Sequence, residues 1–134
     1  MSETQSAPAA DSNSRLLRPA LVTGGISGAL GVALMAVSAH VDTTGYVRQA
    51  AEMFLFHAPA LLVIGVLAQA RRIPLIAAAL VLLIAGLALF CGDLLSRAFF
   101  DQRLFPMSAP TGGLMLILGW CTLALSAVRV QSRR

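Results

Sequence analysis

Four stretches of the chain carry no charged side chain for eighteen residues or more. Pro19–Val41 is 23 residues long, Met53–Ala70 is 18, Ile73–Gly92 is 20 and Leu104–Val128 is 25. An α-helix rises about 1.5 Å per residue and the bilayer core is about 30 Å thick. Each run is therefore long enough to span, the second being the shortest. In hydrocarbon only a helix or a closed barrel satisfies its own backbone. Barrel strands alternate apolar and polar residues, and Val81-Leu82-Leu83-Ile84 and Leu114-Met115-Leu116-Ile117-Leu118 do not. The pattern predicts an all-α integral membrane protein, a bundle of four transmembrane helices at about 20–40, 53–70, 73–95 and 110–128.

Composition agrees with this reading. Of 134 residues, 57% are hydrophobic and 12% charged, about half the charge of an ordinary soluble domain. The mean hydropathy is +0.80. These values exclude a disordered chain, a nucleic-acid-binding tail and most soluble enzymes. Residues 1–18 open with MSETQSAPAADSNS, too polar to bury a core, and are expected to form a disordered tail. Residues 19–128 form the membrane domain, and 129–134 a basic C-terminal tail. A secretory signal peptide is the rival reading of the first run, with Arg15 and Arg18 before it and Val37-Ser38-Ala39 as a cleavage site. Its 23 residues exceed the apolar core of about 7–15 that such peptides use.

All ten basic residues are Arg. The net charge of +4 would suggest nucleic acid in a soluble protein, but here the arginines cluster beside apolar runs and set topology, with no nucleic-acid partner expected. Arg15, Arg18, Arg71, Arg72, Arg129, Arg133 and Arg134 fall on one side of the membrane. Arg48, Arg97 and Arg103 fall on the other. The side richer in Arg is cytoplasmic, so both termini are expected in the cytoplasm. Cys91 and Cys121 lie in different runs without metal-site spacing and are expected to be free thiols.

Gly24, Gly28 and Gly31, continued by Ser38, lie along one stripe of the first helix. Small residues at this spacing let helix backbones approach closely, either inside the bundle or across a dimer face. Pro59 is expected to bend the second helix or mark its start. Trp120, well inside the fourth run, reads as a packing residue.

The remaining polar residues gather towards the non-cytoplasmic helix ends. Arg48 with Glu52, Asp93 with Arg97 and Arg97 with Asp101 are spaced to pair at i,i+4. The sharper expectation is an outward-facing polar pocket lined by His40, His57, Asp93, Thr111, Gly112 and Gly113. Ionisable groups inside a membrane usually pair or face the bundle interior. The free N–H groups opening the fourth helix suit an anionic or carbonyl group. Two His on neighbouring helices could ligate haem or a metal; a metal site wants three or four ligands, and the carboxylates are acceptable third partners. No metal or other cofactor is assigned. No nucleophile–base spacing and no Gly-Lys-Ser/Thr phosphate loop is present, so no catalytic residue is assigned and the chain is read as a non-enzyme.

Four motifs, one per helix, carry a family resemblance. Ser27-Gly-Ala-Leu-Gly-Val-Ala-Leu…Ser38-Ala-His40 resembles a GAxGVxxGAxGAH-like opening. Phe56-His57-Ala58-Pro59-Ala60-Leu61-Leu62 resembles YHALALL, and Leu89-Phe90-Cys91-Gly92-Asp93-Leu94 resembles LFSGSLY. Ala109-Pro110-Thr111-Gly112-Gly113…Leu118-Gly119-Trp120 resembles TPxGG…GW. Together they are similar to the small bacterial membrane proteins of domain-of-unknown-function family 423, from about Leu21 to Val128. Asp93 stands where the family tends to have a small Ser, and Met35 and Ser38 replace glycines. The resemblance implies a four-helix inner-membrane protein with no established activity.

Three functions compete. The first is a non-enzymatic protein of the lipid bilayer that contacts itself, as a homo-oligomer, or a larger membrane-protein complex through its helices. The second is a small-molecule or ion transporter or channel using the polar pocket. A proton-coupled carrier wants a carboxylate at mid-helix, and Glu52 and Asp93 are both expected near helix ends. The third is a haem or metal redox protein using His40 and His57.

Overall fold

A computed structural model describes residues 15–70 and 73–128, folded into four helices: α1 (Leu17–Val41), α2 (Tyr46–Ala70), α3 (Ile76–Phe100) and α4 (Ser108–Val128). All four are long and apolar enough to cross a membrane. Residues 1–14 of the expected N-terminal tail and the whole tail 129–134 lie outside the described residues, while Leu17 and Arg18 already belong to α1.

The helices outrun the charge-free stretches, because charges one turn apart neutralise each other on the helix. α2 begins at Tyr46 rather than near 53, with Arg48 Nε donating to Glu52 Oε1 at 3.0 Å. The α1–α2 turn supports this start. Asp42 Oδ1 accepts from the Gly45 N–H at 2.8 Å, and Oδ2 from the Arg48 N–H at 2.8 Å. Two otherwise unpaired N–H groups at the head of the helix are thereby satisfied. Gly45 has φ +80, where glycine is the least strained choice. α3 runs on to Phe100 rather than 95, past the Asp93–Arg97 pair. It starts at Ile76 rather than 73, because Pro74 and a left-handed Leu75 (φ 66) hold the chain out of the helix until then. α4 starts at Ser108, with Pro110 in its first turn, where no N–H is required. α2 continues through Pro59.

Neighbours in sequence are neighbours in space. α1 packs on α2, α2 on α3 and α3 on α4, while among the described residues α1 and α4 share no comparable interface. The two middle helices supply most of the core, including Leu61, Ile64, Leu80, Leu83 and Leu87. The outward residues are large and apolar, among them Val22, Phe56, Val81, Leu114 and Ile117, as lipid contact demands.

Glycines set the two closest approaches. Gly24, Gly28 and Gly31 face α2, where an added Cβ would meet Leu62, Ala58 and Leu55 at 2.8, 3.7 and 2.6 Å. Between α3 and α4 the contact is backbone on backbone. A Cβ at Gly86 would lie 2.8 Å from the Gly112 carbonyl, and one at Gly112 would lie 2.5 Å from the Phe90 nitrogen.

Candidate functional site

The six residues expected to line one polar pocket fall into separate places. His40 is exposed at the end of α1 and has no hydrogen bond among the described residues. Thr111 is exposed and Gly113 half-buried in the first turns of α4. Gly112 is buried in the α3–α4 contact, where its missing side chain admits Phe90 and Gly86. His57 and Asp93 are both buried, at 6% and 0% exposure, but each has its own partners.

Asp93 fastens the end of the molecule at which α2 and α4 begin. Its Oδ1 accepts a short hydrogen bond from the Ser108 hydroxyl and another from the Leu104 N–H at 3.1 Å. Its Oδ2 lies 2.6 Å from Arg97 Nη2, one turn further along α3. The Arg97 guanidinium also sits 6.0 Å from the centre of the Tyr46 ring on α2, within cation–π range. One carboxylate thus ties α3 to the α3–α4 loop and to the first residue of α4, while its ion-pair partner reaches α2. A charge in this position is tolerable because it is paired and its oxygens are occupied.

His57 does the corresponding work at mid-span. Because α2 begins at Tyr46, His57 is eleven residues into the helix, about 17 Å from that end, and not in the opening turns. Trp120 is twelve residues into α4, at a matching depth. The indole Nε1–H donates to His57 Nε2 at 3.2 Å, and His57 Nδ1 lies 2.8 Å from the Met53 carbonyl. The ring centroids are 5.9 Å apart at 56°. Accepting from Trp120 at Nε2 while donating to Met53 at Nδ1 requires the neutral imidazole with its proton on Nδ1. Protonating Nε2 would turn that acceptor into a donor and break the link.

The partner of His57 is Trp120, which the sequence reading treats as a packing residue alone. A tryptophan inside an apolar run carries an N–H that needs an acceptor when buried. That signal was available, but it pairs with His57 only once the true start of α2 is known. Ser108 and the Leu104 N–H were missed as partners of Asp93, and Gly86 and Gly119 as packing points. Cys91 is buried and Cys121 exposed, and both are free. Among the described residues, no three His, Cys, Asp or Glu side chains gather as a metal-holding group.

What these side chains do chemically is bind one helix to another. Together with four spanning helices whose outward faces are apolar, they define a multi-pass membrane protein fastened by buried polar pairs. The chain belongs to the family described as "Protein of unknown function (DUF423)", which it matches over residues 27–113. It is similar to the UPF0382 inner membrane protein YgdD of Escherichia coli strain K12, with 31% identity over 120 residues, covering 84% of this chain and 92% of the relative. The YgdD protein of Shigella flexneri matches to the same extent. No solved structure matches the chain. The protein is thus a multi-pass inner-membrane protein of a family whose biochemical role is unassigned.

Proposed function

We propose that this chain is a non-enzymatic membrane protein, with both termini in the cytoplasm, that acts through helix contacts with a second copy of itself. The observation that carries the reading is the outward face of α1. The Gly24–Gly28–Gly31 stripe is occupied by α2, so it is not the contact surface. On the opposite side of the same helix, Gly25, Ala29 and Ala33 recur at i,i+4 and are all exposed. An added Cβ at Gly25 would meet nothing within 4 Å. A close-approach surface of small residues without a neighbour suits a second helix. The internal use of His57 and Asp93 supports the non-enzymatic part, since both side chains are engaged by partners within the bundle. The transporter and redox readings gain no observation from this geometry.

Two measurements test the reading. Gly25→Leu with Ala29→Leu should abolish energy transfer between donor- and acceptor-labelled copies in vesicles while the helical signal and melting temperature persist. Undiminished transfer would refute the contact. Reporter fusions at residue 72 and at the C-terminus should both report cytoplasm, as the seven-to-three division of arginines implies. A periplasmic signal from either overturns the orientation.

A further inference from the structure

The loop between α3 and α4 carries large apolar side chains in the open. Leu104, Phe105 and Met107 are all exposed, as are Phe99 and Phe100 just before it. The α1–α2 turn, Asp42-Thr43-Thr44-Gly45, has none. Both connections belong to one end of the molecule, because the Arg97 guanidinium near the end of α3 sits over the Tyr46 ring at the start of α2. The apolar patch is therefore particular to the α3–α4 loop, and an exposed patch of this kind marks a contact surface.

The loop does not stand above the helices but folds back along α3. The Leu104 N–H donates to Asp93 Oδ1 at 3.1 Å, and a Cβ at Gly92 would meet Leu104 Cδ1 at 3.1 Å. Leu104 is thus level with Asp93, about 10 Å below Phe100 at the end of α3. Ser108 donates to the same carboxylate and starts α4 at this level. Asp101 and Met107, at the two ends of the return, take left-handed backbone (φ 55 and 69), a strained conformation that the grip of Asp93 holds in place.

Depth decides what meets these side chains. α4 has 21 residues, a length of about 30 Å, equal to the thickness of the hydrocarbon core. A core that α4 spans has one boundary at Ser108, and Leu104 to Met107 lie along that boundary. There they continue the apolar outward surface of the helices at its edge. Asp101, Gln102 and Arg103, all exposed, stand above it at headgroup level. The backbone suits the position, since donors facing lipid are costly. Leu104 gives its N–H to Asp93, Pro106 has none, and the Ser108 N–H donates to the Phe105 carbonyl at 3.2 Å.

We infer that the α3–α4 loop is a membrane-interface anchor: Leu104, Phe105 and Met107 insert into the lipid leaflet at the end where α2 and α4 begin, while Asp101, Gln102 and Arg103 stay among the headgroups. Phe99 and Phe100 fall in the layer where aromatic side chains commonly anchor spanning helices. Because Asp93 holds the loop to α3, insertion of the loop fixes the height of α3 and α4 in the leaflet.

Nitroxide labels on the full-length protein in phosphatidylcholine vesicles test this. Cys121→Ser removes the exposed native thiol and leaves Cys91, which is buried. In that background Met107→Cys and Gln102→Cys place labels on the two sides of the boundary, and Ile117→Cys, exposed on α4, gives a lipid-facing reference. Oxygen concentrates in lipid and a nickel chelate in water, so the ratio of their collision rates with the label reports depth. With both reagents on both sides of the membrane, the ratio at position 107 should be several-fold higher than at 102 and approach that at 117. Phe105→Cys is the second site if the Met107 variant fails to fold. Equal ratios at 102 and 107 overturn the proposal. A label at 107 sheltered from both reagents overturns it too, and assigns the patch to a second copy of the chain.

Discussion

Asp93 is where single-residue chemistry matters most. It is fully buried and answers three donors from three places in the chain. Removing one partner of a buried pair leaves the other charge uncompensated and costs roughly 3–5 kcal/mol. Asp93→Ala should therefore sharply reduce the melting temperature in detergent, whereas Ser108→Ala removes one donor and should cost only about 1–3 kcal/mol. Equal stability of both variants would show that the pair is dispensable. His57→Phe should fall in the Ser108 class, because it strands the Trp120 N–H without an acceptor. Differential scanning of the purified variants ranks all three. Asp42 gives a pH dependence outside the membrane. Slight desolvation raises its pKa, but hydrogen bonds from the Arg48 and Gly45 N–H groups and the Thr44 hydroxyl outweigh it and hold the carboxyl below its ordinary value. A depressed carboxylate contributes stability above its unfolded value and loses it as pH falls through the folded one. The α1–α2 turn should thus loosen only at the acid extreme, and Asp42→Asn should flatten the acid limb of the melting curve.

At the scale of the helix, glycines of equal appearance in sequence are unequal in place. Gly28 has room for a methyl group, at 3.7 Å from Ala58 Cβ, and an interior Gly→Ala change gains up to about 1 kcal/mol of helix propensity. Gly28→Ala should be neutral or stabilising. Gly86→Ala should be strongly destabilising, since the new carbon would meet the Gly112 carbonyl and the Leu116 nitrogen at 2.8 and 2.9 Å. Backbone atoms cannot swing aside as a side chain can. Gly31→Ala should fall between, because the flexible Leu55 side chain is the nearest obstacle at 2.6 Å. Thermal unfolding of the three variants gives the order directly. The helices themselves were legible because unbroken apolar runs leave no alternative in lipid. Their ends were less so: Arg48 and Arg97 read as boundaries by charge alone, yet each is neutralised one turn away and stays inside a helix. The candidate site was legible only in its members. His57 and Asp93 stand out by cost, but their partners are fixed by which helices meet at which depth, and no spacing along the chain encodes that.

Across the whole molecule, lipid-facing apolar area surrounds a core supplied mainly by the two middle helices. Three features need different surfaces: the outer face of α1, the His57–Trp120 link between α2 and α4, and the Asp93 cluster at the end where α2 and α4 begin. Mutations at one should leave the others unaffected, since sites without shared contacts usually act additively.

The serial packing of α1 on α2, α2 on α3 and α3 on α4 also bears on how the chain is made. A ribosome delivers these helices to the bilayer one at a time, in the order in which they pair. Each new helix finds its principal neighbour already in place, although the His57–Trp120 link between α2 and α4 waits for the last helix. Assembly can therefore keep pace with synthesis. Both the α1–α2 and α3–α4 interfaces are built from glycines inside single hairpins. A chain released after α2 should already hold a docked hairpin, whereas exchanging the order of the two hairpins would leave both closest contacts intact and disturb only the middle one.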